Sequence, residues 1–431
     1  MSAKVLIIAT TPFSTSDSSR SLDSYFHFMD KENVRQIFSR NWKPTKGHCG
    51  ELYQITDANL LKRWVHRTKK TGRIYRYRDL PDDDKIRIVE ENSVMGRFQR
   101  LGTNHTPIIE LLRGVLWRKK YWCTPELIEW LDEFKPDCIF YNFSNHIFTQ
   151  QIALFVAERF RIPIITAIGD DYYFNDHKSI SLAYHIYRLV FKYLTRKVFK
   201  HKGAGVYCSE KIKEKYYGNL SLPGEVIYLS STVKRREFVP INKENPLIVY
   251  FGSIRLGRNQ ALLDIAEALG SLDGNYKIEV FSNESDPLVY QKLSNHPNVI
   301  YGGAIPYSEV QKKLEQCDLF VVAEGFDEEN LNFTRYSLST KAADALASGA
   351  AILAYGPADC GVIGYLRSTN AATVCDNRMD LPRCIRAIFE NEELQQKQYD
   401  CAVDITKKNH TLERGNEVFA KLLKMVLASD A

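Results

Sequence analysis

No run of this 431-residue chain is apolar enough to cross a bilayer. The apolar stretch at residues 5–9, directly behind Lys4, is too short even for a signal peptide, so it is expected as a buried first strand. Cysteines are present, nine of them, but none stands in a C-x-x-C pair and most fall in apolar segments. That excludes a zinc ribbon and a disulfide framework and points to a reducing, cytoplasmic compartment. No D-x-D stands free as a metal site, because Asp82-Asp83-Asp84 lies in a polar turn; no divalent metal and no other cofactor is expected. The loop after the apolar strand at 247–251 does not follow G-x-G-x-x-G, so the dinucleotide fingerprint is weak. The net charge of +6 is too modest to argue for nucleic acid. Acidic residues are missing altogether from residues 177–209.

What is there is an ordinary globular composition, 44% hydrophobic and 26% charged, over a length that supports two or three domains. Residues 5–10 form the first strand candidate and lead into a small polar loop containing Ser18, Ser19 and Arg20. Such loops lie at the carboxyl edge of a parallel sheet, where open α/β folds bind ligands. The stretch 30–122 interleaves Arg and Lys with Tyr and Trp; its strand signals are weak, and helices are expected there.

Clear order returns at residue 124. A helix over 125–134, a strand over 137–141, a helix over 149–160 and a strand over 163–168 make a βαβ unit with a parallel sheet. His146 and the pair Asp170-Asp171 then follow two strands at the same rim as the first loop. Residues 177–209 hold seven Lys or Arg with Leu182, Ile186, Leu189, Val190, Tyr193, Leu194 and Val198 at helical spacing. Two arrangements fit: a core helix with a solvated basic face, or a helix lying on anionic lipid.

Residues 233–246 are charged and irregular and are expected to be a linker. A second α/β unit opens with a strand over 247–251, then Gly252-Ser-Ile-Arg255-Leu-Gly257-Arg258 and a helix over 259–269. A glycine directly after a buried strand lets a ligand approach the backbone, and two arginines suit a diphosphate because guanidinium pairs bidentately with phosphate oxygens. Residues 339–357, STKAADALASGAAILAYGP, read as a short helix ended by Gly349 and followed by a buried strand. Ser339 is placed to cap that helix, and Thr340, Lys341 and Asp344 sit on its first turns, where free N–H groups favour an anion.

The order Asp344-Ala345-Leu346-Ala347-Ser348-Gly349 followed by a hydrophobic strand resembles the C-terminal signature of the group 1 (family 4) retaining glycosyltransferases. The upstream Ser-Thr-Lys resembles a branch of that family found in polysaccharide biosynthesis. The likeness covers most of residues 137–400 and is strongest over 247–357. It implies an α/β fold of two Rossmann-like, doubly wound domains facing across a cleft, the GT-B arrangement. Its expected divisions are an acceptor-binding domain over 1–232, the linker, a donor domain over 247–400 and a C-terminal helix over 401–431 that packs back towards the first domain.

Carried over residue by residue, the resemblance implies a donor site of Gly252, Arg255, Arg258, Ile305 in the 302–309 loop, Glu324, Asp327, Ser339, Thr340, Lys341 and Asp344. It places Ser19, Arg20, His146 and Asp170 at the acceptor, and makes Asp170, Asp171, Lys341 and Arg258 the candidate catalytic groups. The family keeps two glutamates eight apart; here Asp344 has Tyr336 at the first position. Either residues inserted after Phe326 move that acid to Glu324, Asp327 or Glu328, or the sugar end of the site is altered. The implied activity is hexosyl transfer with retention from a nucleoside diphosphate sugar to a glycan or lipid-linked acceptor. Further expected partners are an anionic membrane surface, with a peripheral location at its inner face, but no nucleic acid. A nucleotide-sugar 2-epimerase and a non-catalytic nucleotide-sugar-binding subunit are the alternatives.

Overall fold

The computed structural model of the chain describes residues 3–14, 20–66, 71–82, 87–88, 107–176 and 179–429. Two compact units divide it: Met1–Ile227 with Asn416–Ala431, and Tyr228–Gly415.

The first unit is built on an eight-stranded sheet. In chain order its strands are β1 (Val5–Ile8), β2 (Val34–Phe38), β4 (Glu51–Ile55), β5 (Gly72–Arg76), β7 (Cys138–Asn142), β8 (Ile164–Ile168), β9 (Gly203–Tyr207) and β10 (Gly224–Val226). Two further segments, β3 (Trp42–Lys43) and β6 (Arg87–Ile88), pair separately as an antiparallel ribbon. Across the large sheet the order is β10-β9-β8-β7-β1-β2-β4-β5, parallel throughout except for the antiparallel edge strand β5. β1, β7 and β8 are apolar and buried, as strands covered by helices on both faces must be. The last helix, Leu412–Ala428, adds Phe419, Leu422, Leu423 and Val426 to this unit's core. Phe419 sits edge-on to Phe26 and Phe140, with ring centres 5.1 and 5.5 Å away.

The second unit has six parallel strands: β11 (Ile248–Phe251), β12 (Ile278–Phe281), β13 (Val299–Gly303), β14 (Leu319–Ala323), β15 (Ala351–Tyr355) and β16 (Thr373–Cys375). Their order is β13-β12-β11-β14-β15-β16, which in order of appearance is 3-2-1-4-5-6, the doubly wound dinucleotide-fold order. Alternate residues of β11 feed two cores: Ile248 and Tyr250 on one face, Val249 and Phe251 on the other. Both units are therefore Rossmann-like, as expected. Among the described residues no helix is long and apolar enough to cross a membrane.

Three local expectations are corrected. Residues 30–122 were expected to hold helices with little strand; the helices Asp57–His66, Pro107–Leu116 and Lys119–Trp122 are there, but the stretch also supplies β2, β4 and β5. The acidic loop after Phe326 contains a helix, Glu328–Thr334, whose N-terminus Asp327 caps by accepting from Asn330 N at 2.9 Å. The basic helix, Leu182–Lys200, buries little of the stripe that its spacing marks out: Val198 is buried, but Leu182, Ile186, Leu189, Val190 and Tyr193 face solvent, and Tyr184, Tyr187, Phe191 and Phe199 face inward.

Candidate functional site

In a sheet of order 3-2-1-4-5-6, connections leave strands 1 and 4 towards opposite faces, so a crevice opens at the carboxyl ends of those strands. Here the crevice lies between the loop after β11, residues 252–257, and the loop after β14, residues 324–327. The two loops touch through glycines. A Cβ on Gly325 would meet Leu256 O at 2.3 Å, and a Cβ on Gly257 would lie 3.0 Å from Gly325 Cα. The β11 loop is also conformationally costly. Leu256 (φ 59°) and Gly257 (φ 74°) adopt left-handed backbone, and Gly252 has φ 119°. Such strain persists where the surroundings hold it, and it concentrates at functional loops.

Into this crevice the structure brings Gly252, Arg258, Glu324 and Lys341. Arg258 is the first residue of helix Arg258–Gly270. Its Nε and Nη2 donate to Glu324 Oε2 and Oε1 at 2.9 and 3.1 Å, a bidentate pair with both side chains largely buried. Burial disfavours the guanidinium's charge, and the Glu324 carboxylate outweighs that and holds its pKa above the usual value. Lys341 reaches in from helix Thr340–Ser348 and donates to Tyr250 Oη at 2.7 Å. Its ammonium also lies 4.4 Å from the centre of the Tyr250 ring. Tyr250 in turn donates to Ser253 O at 2.6 Å, tying Lys341 to the loop that Gly252 opens. Burial brings the Lys341 pKa down to about 7; Arg258 pushes the same way and Glu324 opposes. The crevice thus holds two cations and one carboxylate already committed to the arginine, an arrangement with room for added negative charge.

The other expected donor residues sit apart from this group or are otherwise engaged. Arg255 is exposed and pairs with Glu284 at 2.6 Å. Asp327 lies against Gly257 but caps its own helix. Ser339 stands at the N-cap of helix Thr340–Ser348 without a side-chain capping bond, and Thr340 is exposed. Asp344 is buried and accepts from Ser231 Oγ at 2.6 Å. Ile305 packs against the core formed by Phe251, Phe281 and Phe320.

In the first unit, β1 and β7 are the strands at the corresponding switch. His146 follows β7 and is buried, with Nδ1 3.1 Å from Glu110 Oε1. Arg113 bridges Glu110 and Asp57, each at 3.1 Å. Asp171 is also buried and takes Lys215 Nζ at 2.7 Å, Tyr216 Oη at 3.0 Å and Phe174 N at 3.1 Å. These bonds use both of its oxygens. The neighbouring Asp170 is exposed and accepts from Tyr172 Oη at 3.0 Å. Arg20 begins helix Arg20–Phe26, and Ser19 lies outside the described residues.

Sequence reasoning did not single out Tyr250 or the pair Glu110–Arg113. Tyr250 carried one usable signal: a ring with a polar tip two residues before a loop glycine, at the end of a strand otherwise wholly apolar. Glu110 stands alone among Ile108, Ile109, Leu111 and Leu112, and an acid on an apolar helix is a mark of a buried partner.

Comparison with family profiles and with curated protein sequences finds no match. Solved structures do match over nearly the whole chain. A sucrose-phosphate synthase from Thermosynechococcus elongatus superposes with a TM-score of 0.61 at 10% identity, covering 99% of this chain and 100% of that one. HepE of Anabaena, in a complex with UDP, also gives 0.61, at 12% identity over 98% and 100%. WaaG, a glycosyltransferase involved in lipopolysaccharide biosynthesis, gives 0.53 at 13% identity over 97% and 99%. The fold is GT-B. At these identities the likeness concerns the fold, and any chemistry has to be argued from the chain's own residues.

Proposed function

We propose that the second unit binds a nucleoside diphosphate sugar at the β11–β14 crevice, and that the protein transfers the sugar with retention to an acceptor held by the first unit. The observation that carries this reading is the convergence of Lys341, Arg258 and the strained Gly252 loop at the switch point of a 3-2-1-4-5-6 sheet. Departure of a charged diphosphate is the hard step of such a transfer. A well-placed donor to the developing charge is worth about 3 kcal/mol. The neighbour HepE was solved with UDP, with UDP-glucose, and with UDP and glucose, so UDP is the first nucleotide to test. The likeness to WaaG, and the sequence resemblance to the polysaccharide branch, favour a glycan or lipid-linked acceptor. Nine free cysteines favour a reducing cytoplasm.

We assign neutralisation of the diphosphate to Lys341, Arg258 and loop N–H groups rather than to a divalent metal. Turnover is therefore expected to survive chelation by EDTA, and an EDTA-sensitive rate restored by Mg²⁺ would count against that assignment. The direct test is release of the nucleoside diphosphate from a panel of nucleotide sugars with glycan and lipid-linked acceptors, the product anomer being read by NMR. Transfer with retention supports the proposal. Binding without transfer to any acceptor would leave a nucleotide-sugar-binding subunit, and conversion of the donor without acceptor an epimerase.

Lys341 gives the site a pH signature. Its pKa of about 7 in the free protein lies below the unfolded value near 10.5, so the ammonium is present below pH 7 and lost as pH rises through it. A bound diphosphate favours the charged form. Affinity for UDP is expected to fall between pH 7 and 9 by up to about tenfold per unit, one proton being taken up on binding. Calorimetry in buffers of different ionisation enthalpy checks this, and the slope should vanish in Lys341→Met.

A further inference from the structure

We infer that the first unit docks on an anionic bilayer through the solvent face of helices Pro107–Leu116 and Leu182–Lys200, which pack against each other. On the second helix the outward positions follow helical spacing: Leu182, Ile186, Leu189, Val190 and Tyr193. On the first they are Ile108, Leu112 and Val115, again one stripe. All are exposed, and the largest fractions are 74% for Leu182, 72% for Leu189 and 63% for Leu112. Isolated exposed leucines are ordinary, but two adjacent apolar stripes on packed helices form a contiguous patch, and such patches mark interaction surfaces.

The charges around the patch identify the occupant. The outward face of the long helix continues into Arg196, Lys197 and Lys200, and Arg118, Lys119 and Lys120 follow the shorter helix, all exposed. Residues 177–209 contain no acid, and the one acid of the shorter helix, Glu110, is buried inward against His146. Asp176 pairs with Arg188 and Lys192, and Asp57 with Arg113, so those charges are balanced, while Arg196, Lys197, Lys200, Arg118, Lys119 and Lys120 leave cations in excess beside the apolar side chains. That order matches the two layers of an anionic membrane surface: leucine and isoleucine at the acyl boundary, lysine and arginine at the headgroups. A protein partner with an apolar face and acidic rim would need a shape complement; a bilayer needs only this amphipathic order. The docking does not depend on the transferase proposal. One consequence does rest on it: because the inner face of helix Pro107–Leu116 holds His146 at the β7 rim, an acceptor carried on a membrane lipid would meet the rim at the docked surface.

Flotation of the full chain with vesicles tests the inference. Vesicles of phosphatidylcholine with one-quarter phosphatidylglycerol should carry the protein, pure phosphatidylcholine vesicles much less, and 0.5 M salt should release it. Leu112→Glu with Leu189→Glu should lower partition at least tenfold while leaving the thermal midpoint and UDP binding unchanged. Lys197→Glu with Lys200→Glu should lower it on anionic vesicles. Absence of flotation, or flotation indifferent to these variants, overturns the inference. So does a concentration-dependent dimer that the leucine variants abolish, since the face would then join two copies of the chain. Loss of UDP binding in the wild type with flotation intact would instead count against the donor site alone.

Discussion

Lys341→Ala is expected to lower turnover by about 10²- to 10³-fold, the effect of removing one donor to a developing oxyanion. Affinity for the nucleoside diphosphate should fall with it, because the same ammonium faces the ground-state charge. The fold should tolerate the change. Lys341 makes one hydrogen bond, to Tyr250, whose own hydroxyl stays satisfied by Ser253 O. Tyr250→Phe separates positioning from charge: the ammonium remains but loses its anchor, so a smaller loss of turnover is expected, with the pH slope retained. Steady-state rates and calorimetry on the three proteins check this. A Lys341→Ala enzyme with wild-type rate would remove Lys341 from the chemistry.

The second large effect concerns Glu324→Gln. Glu324 is almost fully buried at the end of β14, and both its oxygens accept from Arg258. Breaking a buried pair by neutralising one partner leaves an uncompensated charge, at a cost of about 3–5 kcal/mol. In a unit of this size that lowers the melting midpoint by roughly 6–20 °C. A bound diphosphate supplies the missing negative charge, so saturating UDP should recover more stability in Glu324→Gln than in the wild type. Denaturant unfolding with and without UDP measures both numbers. Equal recovery in the two proteins would mean that Arg258 does not face the ligand.

Much of the second unit was legible because its signals agree at every level. Strands β11, β14 and β15 are short apolar runs ended by glycine or by a polar residue, β12 is broken only by Glu279, and Gly349 closes helix Thr340–Ser348 in left-handed backbone (φ 85°), where a glycine is cheapest. Gly252, Arg258 and Lys341 were picked out separately and prove to be neighbours. What the sequence could not show is how each side chain is used. Glu324 and Asp344 are both buried acids, yet one holds an arginine across the crevice and the other accepts from Ser231.

The missed strands of the first unit have a physical reason. β2 reads VRQIF and β4 reads ELYQI, so each carries a buried glutamine that breaks the apolar pattern. The structure satisfies both from loop backbone: Gln36 accepts from Phe13 N at 2.6 Å, and Gln54 donates to Arg40 O at 2.8 Å. β5 reads GRIYR, and its two arginines suit an edge strand, where charge protects against further pairing. For the long basic helix, spacing defined the apolar stripe but not its direction. Tyr187 donates to Asn145 O, and Arg188 donates to the carbonyls of Tyr172 and Tyr173 at 2.9 and 2.8 Å. Those polar groups turn Tyr184, Tyr187 and Phe191 inward and leave Leu182, Ile186, Leu189 and Val190 outside.

The most direct test of the central claim is a thermal-shift and calorimetry panel of UDP, GDP, ADP, CMP and NAD on the purified chain. A ligand at one hundred times its dissociation constant adds about 2.7 kcal/mol of stability, a rise of roughly 5–10 °C in a unit of this size. A rise with one nucleoside diphosphate, absent with NAD and lost in Lys341→Ala, is the predicted result. No shift with any diphosphate, or a shift that Lys341→Ala leaves intact, would contradict a diphosphate site at the β11–β14 crevice.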